Sequence, residues 1–582
     1  MSATVTRIAG ALVEVEPCDA ALYEVASVGE RRLMAEVVRR SHRGGTLQVY
    51  EDTTGLRVGE PVAFTGKSLV AHLGPGLLGN ILDGVGRPLT QIATTTGSLI
   101  QPGTTAPTLD DRARWQFQAC AGAGDVVRPG DILGTVVEGS FTHSILVPAD
   151  APGGRVARID SGEFGVSDAI GALDDGTPLR LAHHWPIRIP RPVTDRLSGD
   201  RPFVTGQRVF DLLYPVAEGG CAAVPGGFGT GKTIIEQSLA KYSDADLVVY
   251  VGCGERGNEM TDLLTEFPTL VDPRTGRSLM ERSVLIVNTS NMPVAARESS
   301  IYLGITIAEY FRDQGRRVAL MVDSTSRWAE ALREMSARLQ EMPGEEGYPT
   351  YLGSRLAQFF ERAGRITALG HRAEGSVSIV AAISPPGGDF SEPVTQASLR
   401  VTGALWALDP ALAHQRHFPA VDWETSYSLY ADRVAAWFET DAGIGWGEAR
   451  RSLMELLQRE RELRDIASLV GSDALEDGDR LIMDCAALVR EIVLRQNAYD
   501  PHDARSSLEK TRALAMCSAE LFATAKTALA RGTAYANIEL VPATRALTLL
   551  RDGDDASVPV HERDARSAIS RLATVAGAET PL

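Results

Sequence analysis

The 582-residue chain reads as a multidomain protein: a β-rich N-terminal part, a second β-rich segment, an α/β domain carrying a phosphate-binding loop, and a helical C-terminal part. Three observations predict this. Gly226-Gly227-Phe228-Gly229-Thr230-Gly231-Lys232-Thr233 fits the pattern of two glycines around four residues, then Lys and Thr. Short apolar runs alternate with helical stretches between about 195 and 430. After about 430 the strand-like runs stop and only helical spacing remains.

In residues 1–70, Val5 to Val15 alternates loosely, and Gly29, Gly44-Gly45, Gly55 and Gly59 fall at hairpin-like intervals, which predicts a small β-barrel. Residues 71–109 read as a connector. In 110–185, Gly130, Gly134 and Gly139 separate short Val/Ile/Leu runs, the pattern of a compact β-rich insert. Pro186, Pro190 and Pro192 then mark a boundary, because each fixes φ and removes a donor. Within 186–430 the runs Asp246–Cys253, Val284–Thr289, Val318–Asp323 and Ser376–Ser384 read as strands, and Trp328, Leu332, Met335 and Leu339 mark a helix. Alternation of this kind predicts a parallel sheet whose ligands sit at the carboxyl ends of the strands. In 431–582, Leu453, Leu456, Leu463, Ile466 and Val470 keep helical spacing, as do Ile482, Cys485, Val489 and Ile492.

Charge and composition narrow the classes. There are 58 Lys and Arg against 75 Asp and Glu, a net charge of −17, which disfavours a protein that coats nucleic acid. Neither a basic pore nor an RNA- or DNA-binding module is evident, which also weighs against a translocase. Six scattered cysteines form no CxxC pair, so reduced thiols in a cytoplasmic protein are expected. No secretory signal is visible in residues 1–30, and no apolar run reads as a membrane span, so any membrane association is expected to be indirect.

The loop has the flanks its chemistry needs. Cys221 to Val224 reads as a buried strand and Ile234 to Tyr242 as a helix, so backbone N–H groups and the helix's positive end converge on one spot. Lys232 adds a full charge for the β/γ-phosphates, and the Thr233 hydroxyl is the expected Mg²⁺ ligand. Asp323 ends an apolar strand, where a carboxylate can hold Mg²⁺ directly or through water. Glu255 follows the strand Asp246–Val251, where it can orient and deprotonate a water; a polar surface loop is the alternative there. Arg256 can pair with Glu255 or reach the phosphates. The loop Ser384 to Ser391 has no function that spacing reveals.

The segments PGGFGTGKT, GCGERGNEM, NTSNMPVAARESS, DSTSRWAEALREMSARLQEMPGEEGYPTYLGSRLAQFFERAGR, SPPGGDFSEPVT and PAVDWETSYS, in this order, closely resemble the catalytic A subunit of the rotary A/V-type ATPases. The resemblance spans roughly residues 5–550, and the insert at 110–185 is similar to one that the F-type β subunits lack. It implies an N-terminal β-barrel, a β-rich bulge insert, a RecA-like P-loop nucleotide domain and a C-terminal α-helical domain. It implies ATP and ADP as substrates with Mg²⁺, and Gly226 to Thr233 as the nucleotide loop. Glu255 matches the water-activating glutamate, Arg256 an arginine near the γ-phosphate, and Asp323 the carboxylate holding Mg²⁺. Phe418 and Tyr499 match aromatics that enclose adenine. The partners implied are B subunits in an alternating A3B3 ring with central and peripheral stalks, on the cytoplasmic face of a membrane whose rotor carries H⁺ or Na⁺. A non-catalytic subunit such as B conflicts with the intact loop, Glu255 and the insert. Thr230 stands where eukaryotic relatives often carry Cys, so a disulfide switch is not expected.

Overall fold

A computed structural model describes residues 3–97, 100–471 and 475–575. The chain divides into two compact units: Met1–Ser198, Gly219–Cys221 and Ala245–Thr402 in the first, and Gly199–Glu218, Ala222–Asp244 and Gly403–Leu582 in the second.

The first unit opens with six antiparallel strands, Ala3–Ala9, Leu12–Glu16, Glu24–Val28, Leu33–Arg40, Gly45–Val49 and Pro61–Ser68, which close into a barrel. Alternate residues point inward, so Val13, Val15, Ala26, Val28, Leu33, Ala35, Val37, Leu47 and Val49 form its core. Closure removes the unpaired edges that an open sheet would present. The insert is two four-stranded sheets packed around Phe117, Leu133, Val136, Ile145, Val156 and Ile170. It is tied to the helix Val294–Arg312 by buried His143, whose Nδ1 lies 2.9 Å from Glu138 Oε2 and whose Nε2 lies 2.6 Å from the Tyr310 hydroxyl.

The parallel strands of this unit run Glu374–Ile383, Arg317–Asp323, Leu247–Glu255, Ser283–Thr289 and, from within 71–109, Ile81–Leu82. They are buried almost throughout, which is why they read as continuous apolar runs rather than alternating ones. The helix Val294–Arg312 lies in the core, and its two glutamates are buried as ion pairs: Glu298 with Arg188 at 2.7 Å and Glu309 with Arg362 at 2.5 Å. Register fixes the carboxyl ends side by side, with Gly252 opposite Asp323 and Glu255 opposite Thr289.

In the second unit the strand Cys221–Pro225 pairs in parallel with Ala404–Leu405, and the helix Lys232–Tyr242 follows it. Pro202–Phe203 pairs with Val216–Ala217 and Tyr427–Ser428 with Ala404–Leu405, both antiparallel, and the later part is helical: Trp446–Val470, Asp477–Val489, Leu508–Ala530, Val541–Asp552 and Val558–Val575. Leu453, Leu456 and Leu463 are buried as their spacing predicts. Ile466 is not, being 49% exposed near the end of its helix, and the side chain of Val470 lies outside the described residues. The helix Leu508–Ala530 is long and apolar enough on average to cross a membrane, although charged residues such as Glu509, Arg512 and Glu520 interrupt it, so it contains no unbroken apolar run. It instead packs within the helical part, burying Ala513, Leu514, Cys517, Leu521 and Ala525. No disulfide forms among the described residues; the thiols of Cys253, Cys485 and Cys517 are buried, and burial pushes each up to about 12.

Arg208 joins the start of this unit to its later helices. Fully buried, it donates to the Val493 carbonyl at 2.9 Å, the Arg495 carbonyl at 2.6 Å and Asp503 Oδ1 at 2.6 Å. Its backbone N–H donates to Gln496 Oε1 at 2.9 Å. Replacing one member of such a pair leaves an uncompensated buried charge. Arg208→Met should therefore destabilise the unit by about 3–5 kcal/mol, read as a lower urea midpoint, and adding Asp503→Asn should restore a substantial part.

Candidate nucleotide-binding and catalytic residues

The phosphate-type loop leaves the buried strand Cys221–Pro225 with no room for side chains at its start. A Cβ on Gly226 would lie 2.6 Å from Thr230 Oγ1 and 2.9 Å from Leu408 Cβ. Gly229 and Gly231 have φ of 77° and 89°, the left-handed region that glycine adopts without steric cost. Thr230 is buried, and its hydroxyl donates to the Gly227 carbonyl at 2.9 Å, cross-bracing the turn. Lys232 reaches back over the loop, and its Nζ donates to the carbonyls of Gly226 at 2.7 Å and Gly227 at 3.0 Å. The helix starts at Lys232 and its N-cap, Gly231, supplies no side-chain acceptor. The first-turn N–H groups thus keep the anion-binding character of a helix start. Thr233 is half-buried in that turn, and Phe228 is exposed at the loop tip.

Phe418 lies against this loop, with ring atoms 3.4 and 3.5 Å from where a Cβ on Gly231 would be. The Phe418 carbonyl accepts from the Gln496 N–H at 2.7 Å, which ties the segment carrying Tyr499 to the same place. That segment is further held by Asn497, whose N–H donates to Asp503 Oδ2 at 2.7 Å and whose Oδ1 accepts from the Tyr499 N–H at 3.0 Å. The Tyr499 ring itself is 89% exposed.

In the first unit, the strand ends gather Glu255 and Asp323, 8% and 4% exposed. The Tyr250 hydroxyl is 3.4 Å from Asp323 Oδ2. Burial, and then the charge of Asp323, push Glu255 up to about 7, while Ser324 and Arg327 pull it back. Glu255 Oε1 is buried and has no hydrogen-bond partner among the described residues. Arg256 is exposed and begins the helix Gly257–Glu266, its carbonyl accepting from the Met260 N–H at 3.0 Å.

Two arginines absent from the sequence-derived site flank this loop. Gly254 has φ of 73°, and a Cβ there would meet Arg327 Cβ at 2.7 Å and Arg297 Cδ at 2.8 Å. Arg297 Nη2 donates to the Ser290 carbonyl at 2.8 Å, and Arg327 Nη1 donates to both oxygens of Glu330 at 2.9 and 3.0 Å. Their signal in the sequence was weak: both fall within the family-like segments, but nothing in spacing says that a helix start folds onto residue 254. The loop 384–391 is anchored where Ser384 N–H donates to Ser326 Oγ at 2.8 Å, beside the start of the helix Thr325–Arg338.

Comparison with known proteins agrees along the chain. Residues 5–66 match the beta-barrel domain of the ATP synthase alpha/beta family, residues 106–188 its barrel-sandwich domain, and residues 206–428 its nucleotide-binding domain. Residues 435–538 match the C-terminal domain of V and A type ATP synthase. A V-type ATP synthase alpha chain of Anaeromyxobacter dehalogenans is 57% identical over 506 residues, 87% of each chain. The A subunit of an A-type ATP synthase of Methanospirillum hungatei is 54% identical over 504 residues, covering 87% of this chain and 86% of the relative. Its counterpart from Methanoregula boonei is 50% identical over 555 residues, covering 95% and 94%. The structure of the ATPase EscN from the enteropathogenic E. coli type III secretion system shares the fold, with a TM-score of 0.63 at 21% identity, over 89% of this chain and 100% of that one.

The raised Glu255 fixes the sign of a pH effect. Its folded value lies above the ordinary carboxylate range, so its protonated form stabilises the fold at acid pH. That stabilisation is full below the unfolded value, about 4.3, and is lost as pH rises through about 7. Glu255→Gln removes the ionisable group and should raise stability by about 1–3 kcal/mol at pH 8. The gain, measured by urea denaturation of the nucleotide-free chain, should shrink towards pH 4.5.

Proposed function

The chain belongs to the A (alpha) subunit family of the V- and A-type ATP synthases, and from that premise we propose that Lys232, Thr233, Glu255, Arg256 and Asp323 carry its chemistry. It is the catalytic subunit that hydrolyses or makes ATP in a rotary ATPase, coupling that reaction to H⁺ or Na⁺ transport across a membrane. It binds ATP and ADP through its nucleotide-binding domain, and works as part of a multi-subunit, membrane-associated complex.

The observation that supports the catalytic reading best is the buried Glu255 carboxyl at a strand end beside that of Asp323, with Oε1 bonded to nothing among the described residues; burial raises its affinity for a proton. A base so tuned can take a proton from water and later return it, which reversible hydrolysis and synthesis both need. In our reading, Glu255 orients the water, accepts its proton as the water oxygen bonds to the γ-phosphorus, and the bond to ADP breaks. Lys232 releases its two carbonyl partners to the β/γ-phosphates, and Arg256 neutralises γ-phosphate charge. Phe418 and Tyr499 enclose adenine, as the resemblance implies.

The donors suit magnesium. The Thr233 hydroxyl and the Asp323 carboxylate are hard oxygen ligands, the kind that magnesium takes alongside substrate phosphates and water. Bound there, it would neutralise charge on the phosphoryl oxygens.

The finer assembly we propose is three such chains alternating with three B subunits, around a central stalk and beside peripheral stalks. The ring forms a head on the cytoplasmic face that reaches the bilayer only through the rotor. An arginine finger supplied by B would contribute about 10³–10⁵ in rate.

Two experiments test this. Glu255→Gln in the assembled ring should keep MgATP affinity within a few-fold and abolish hydrolysis; normal turnover would remove Glu255 from the chemistry. The purified chain alone should bind MgATP and hydrolyse it slowly, with activity rising steeply on assembly with B. Vigorous turnover by the isolated chain would show that it needs no residue in trans.

A further inference from the structure

The strand Leu247–Glu255 does not run straight to its last residue. Cys253 pairs with Asn288 and Glu255 with Thr289, so Gly254 is an extra residue between two consecutive partners, a bulge. Its φ of 73° lies in the left-handed region that glycine adopts without steric cost. A bulge breaks the alternation of a strand, so the shape of the chain at Gly254 aims the Glu255 side chain. Whatever holds that shape governs where the carboxyl stands.

Arg297, in the first turn of the helix Val294–Arg312, is placed to hold it. Its side chain lies over the bulge, where a Cβ on Gly254 would be 2.8 Å from Arg297 Cδ and 2.9 Å from Nε. Beyond the bulge, Arg297 Nη2 donates to the Ser290 carbonyl at 2.8 Å, and the Ser290 N–H donates to the Glu255 carbonyl at 2.9 Å. Before the bulge, Cys253 Sγ lies 3.5 Å from the Arg297 carbonyl, which also accepts from Ser300 Oγ at 2.7 Å. One arginine thus meets residues 253 and 254 directly and residue 255 through Ser290. Its own base is fixed by the next residue: the Glu298 carboxylate pairs with Arg188, and the Glu298 carbonyl accepts from Trp328 Nε1 at 3.1 Å.

This placement is costly. Arg297 is 8% exposed, it forms no ion pair among the described residues, and its Nε has no hydrogen-bond partner there. A buried guanidinium without a carboxylate destabilises a fold, and an apolar side chain would fill the space without the charge. Stability alone does not account for it.

We infer that Arg297 is a positioning residue for the reaction, clamping the Gly254 bulge so that the Glu255 carboxyl stands where it meets the attacking water. The role rests on the catalytic reading of Glu255. Arg297 acts on the backbone around that residue and not on the nucleotide.

The test uses the assembled ring. Cleavage of substoichiometric ATP is followed in a single turnover, and MgADP sites per ring are counted by calorimetry. Arg297→Ala should slow the cleavage step about 10²-fold, the size expected when a catalytic group is displaced by about 1 Å. The rate of ATP binding, the number of MgADP sites and their affinity should stay unchanged, whereas a merely structural loss would remove sites and leave the survivors at full speed. Arg297→Met keeps an unbranched stem over Gly254 and lacks only the guanidinium, so it should fold where alanine does not and still slow cleavage. Normal cleavage in either variant, a loss only in proportion to missing sites, or weakened MgADP binding (the mark of a nucleotide ligand) would overturn the proposal. Glu255→Gln run alongside separates two failures. A normal Glu255→Gln ring removes the reading of Glu255 itself, and an inactive one beside a normal Arg297→Ala ring removes the positioning role alone.

Discussion

Two carboxylates that cannot both ionise cheaply sit at adjacent strand ends, and much of the first unit exists to keep them there. Parallel pairing with Gly252 opposite Asp323 carries the Leu247–Glu255 strand on to its terminal glutamate, beside the aspartate that ends its neighbour. Strands packed on both faces resist slip, since a shift by one residue would exchange the side chains fitted to each face. The sheet therefore imposes the proximity that charge repulsion opposes. Ser324 and Arg327 offset part of that repulsion. Burial first, and then the charge of Asp323, move Glu255 from an ordinary acid to a group balanced between its two forms.

The second unit solves a different problem, that of holding a loop with almost no side chains in one shape. Close packing against Leu408 and Thr230 leaves Gly226 no alternative, and positive φ at Gly229 and Gly231 completes the curve. Phe418 backs the far side of the loop, and Arg208 fixes the segment behind Phe418 through Gln496 and Asp503. A buried guanidinium adds to the apolar packing of Phe210, Leu212, Val493 and Leu494 in this region, and removing it alone leaves a partner's charge uncompensated.

Much of this was legible in the sequence, for identifiable reasons. The central strands announced themselves because burial on both faces requires unbroken apolar runs, and the barrel because one inward face requires alternation. The glycine–lysine loop was legible because its geometry admits so few residue types. What spacing could not supply was the state of Glu255, which depends on a residue from a different strand. Nor could it reveal Arg297 and Arg327, which approach Gly254 only because that residue turns with φ of 73°. Periodicity put Ile466 on a helix, where it is, but a repeat says which face a residue occupies and not whether anything covers it there, and Ile466 is half exposed. The Leu508–Ala530 helix shows the converse: its apolar character reflects helices packed around it.

The Lys232 ammonium that bonds the Gly226 and Gly227 carbonyls has a mechanical consequence. The first residue of the helix is turned back across the end of the preceding strand, so its side chain works as a strut spanning the two ends of the loop. Glycines give the curve and the strut retains it, so bending and bracing are tasks of different residues, and loss of one does not by itself abolish the other.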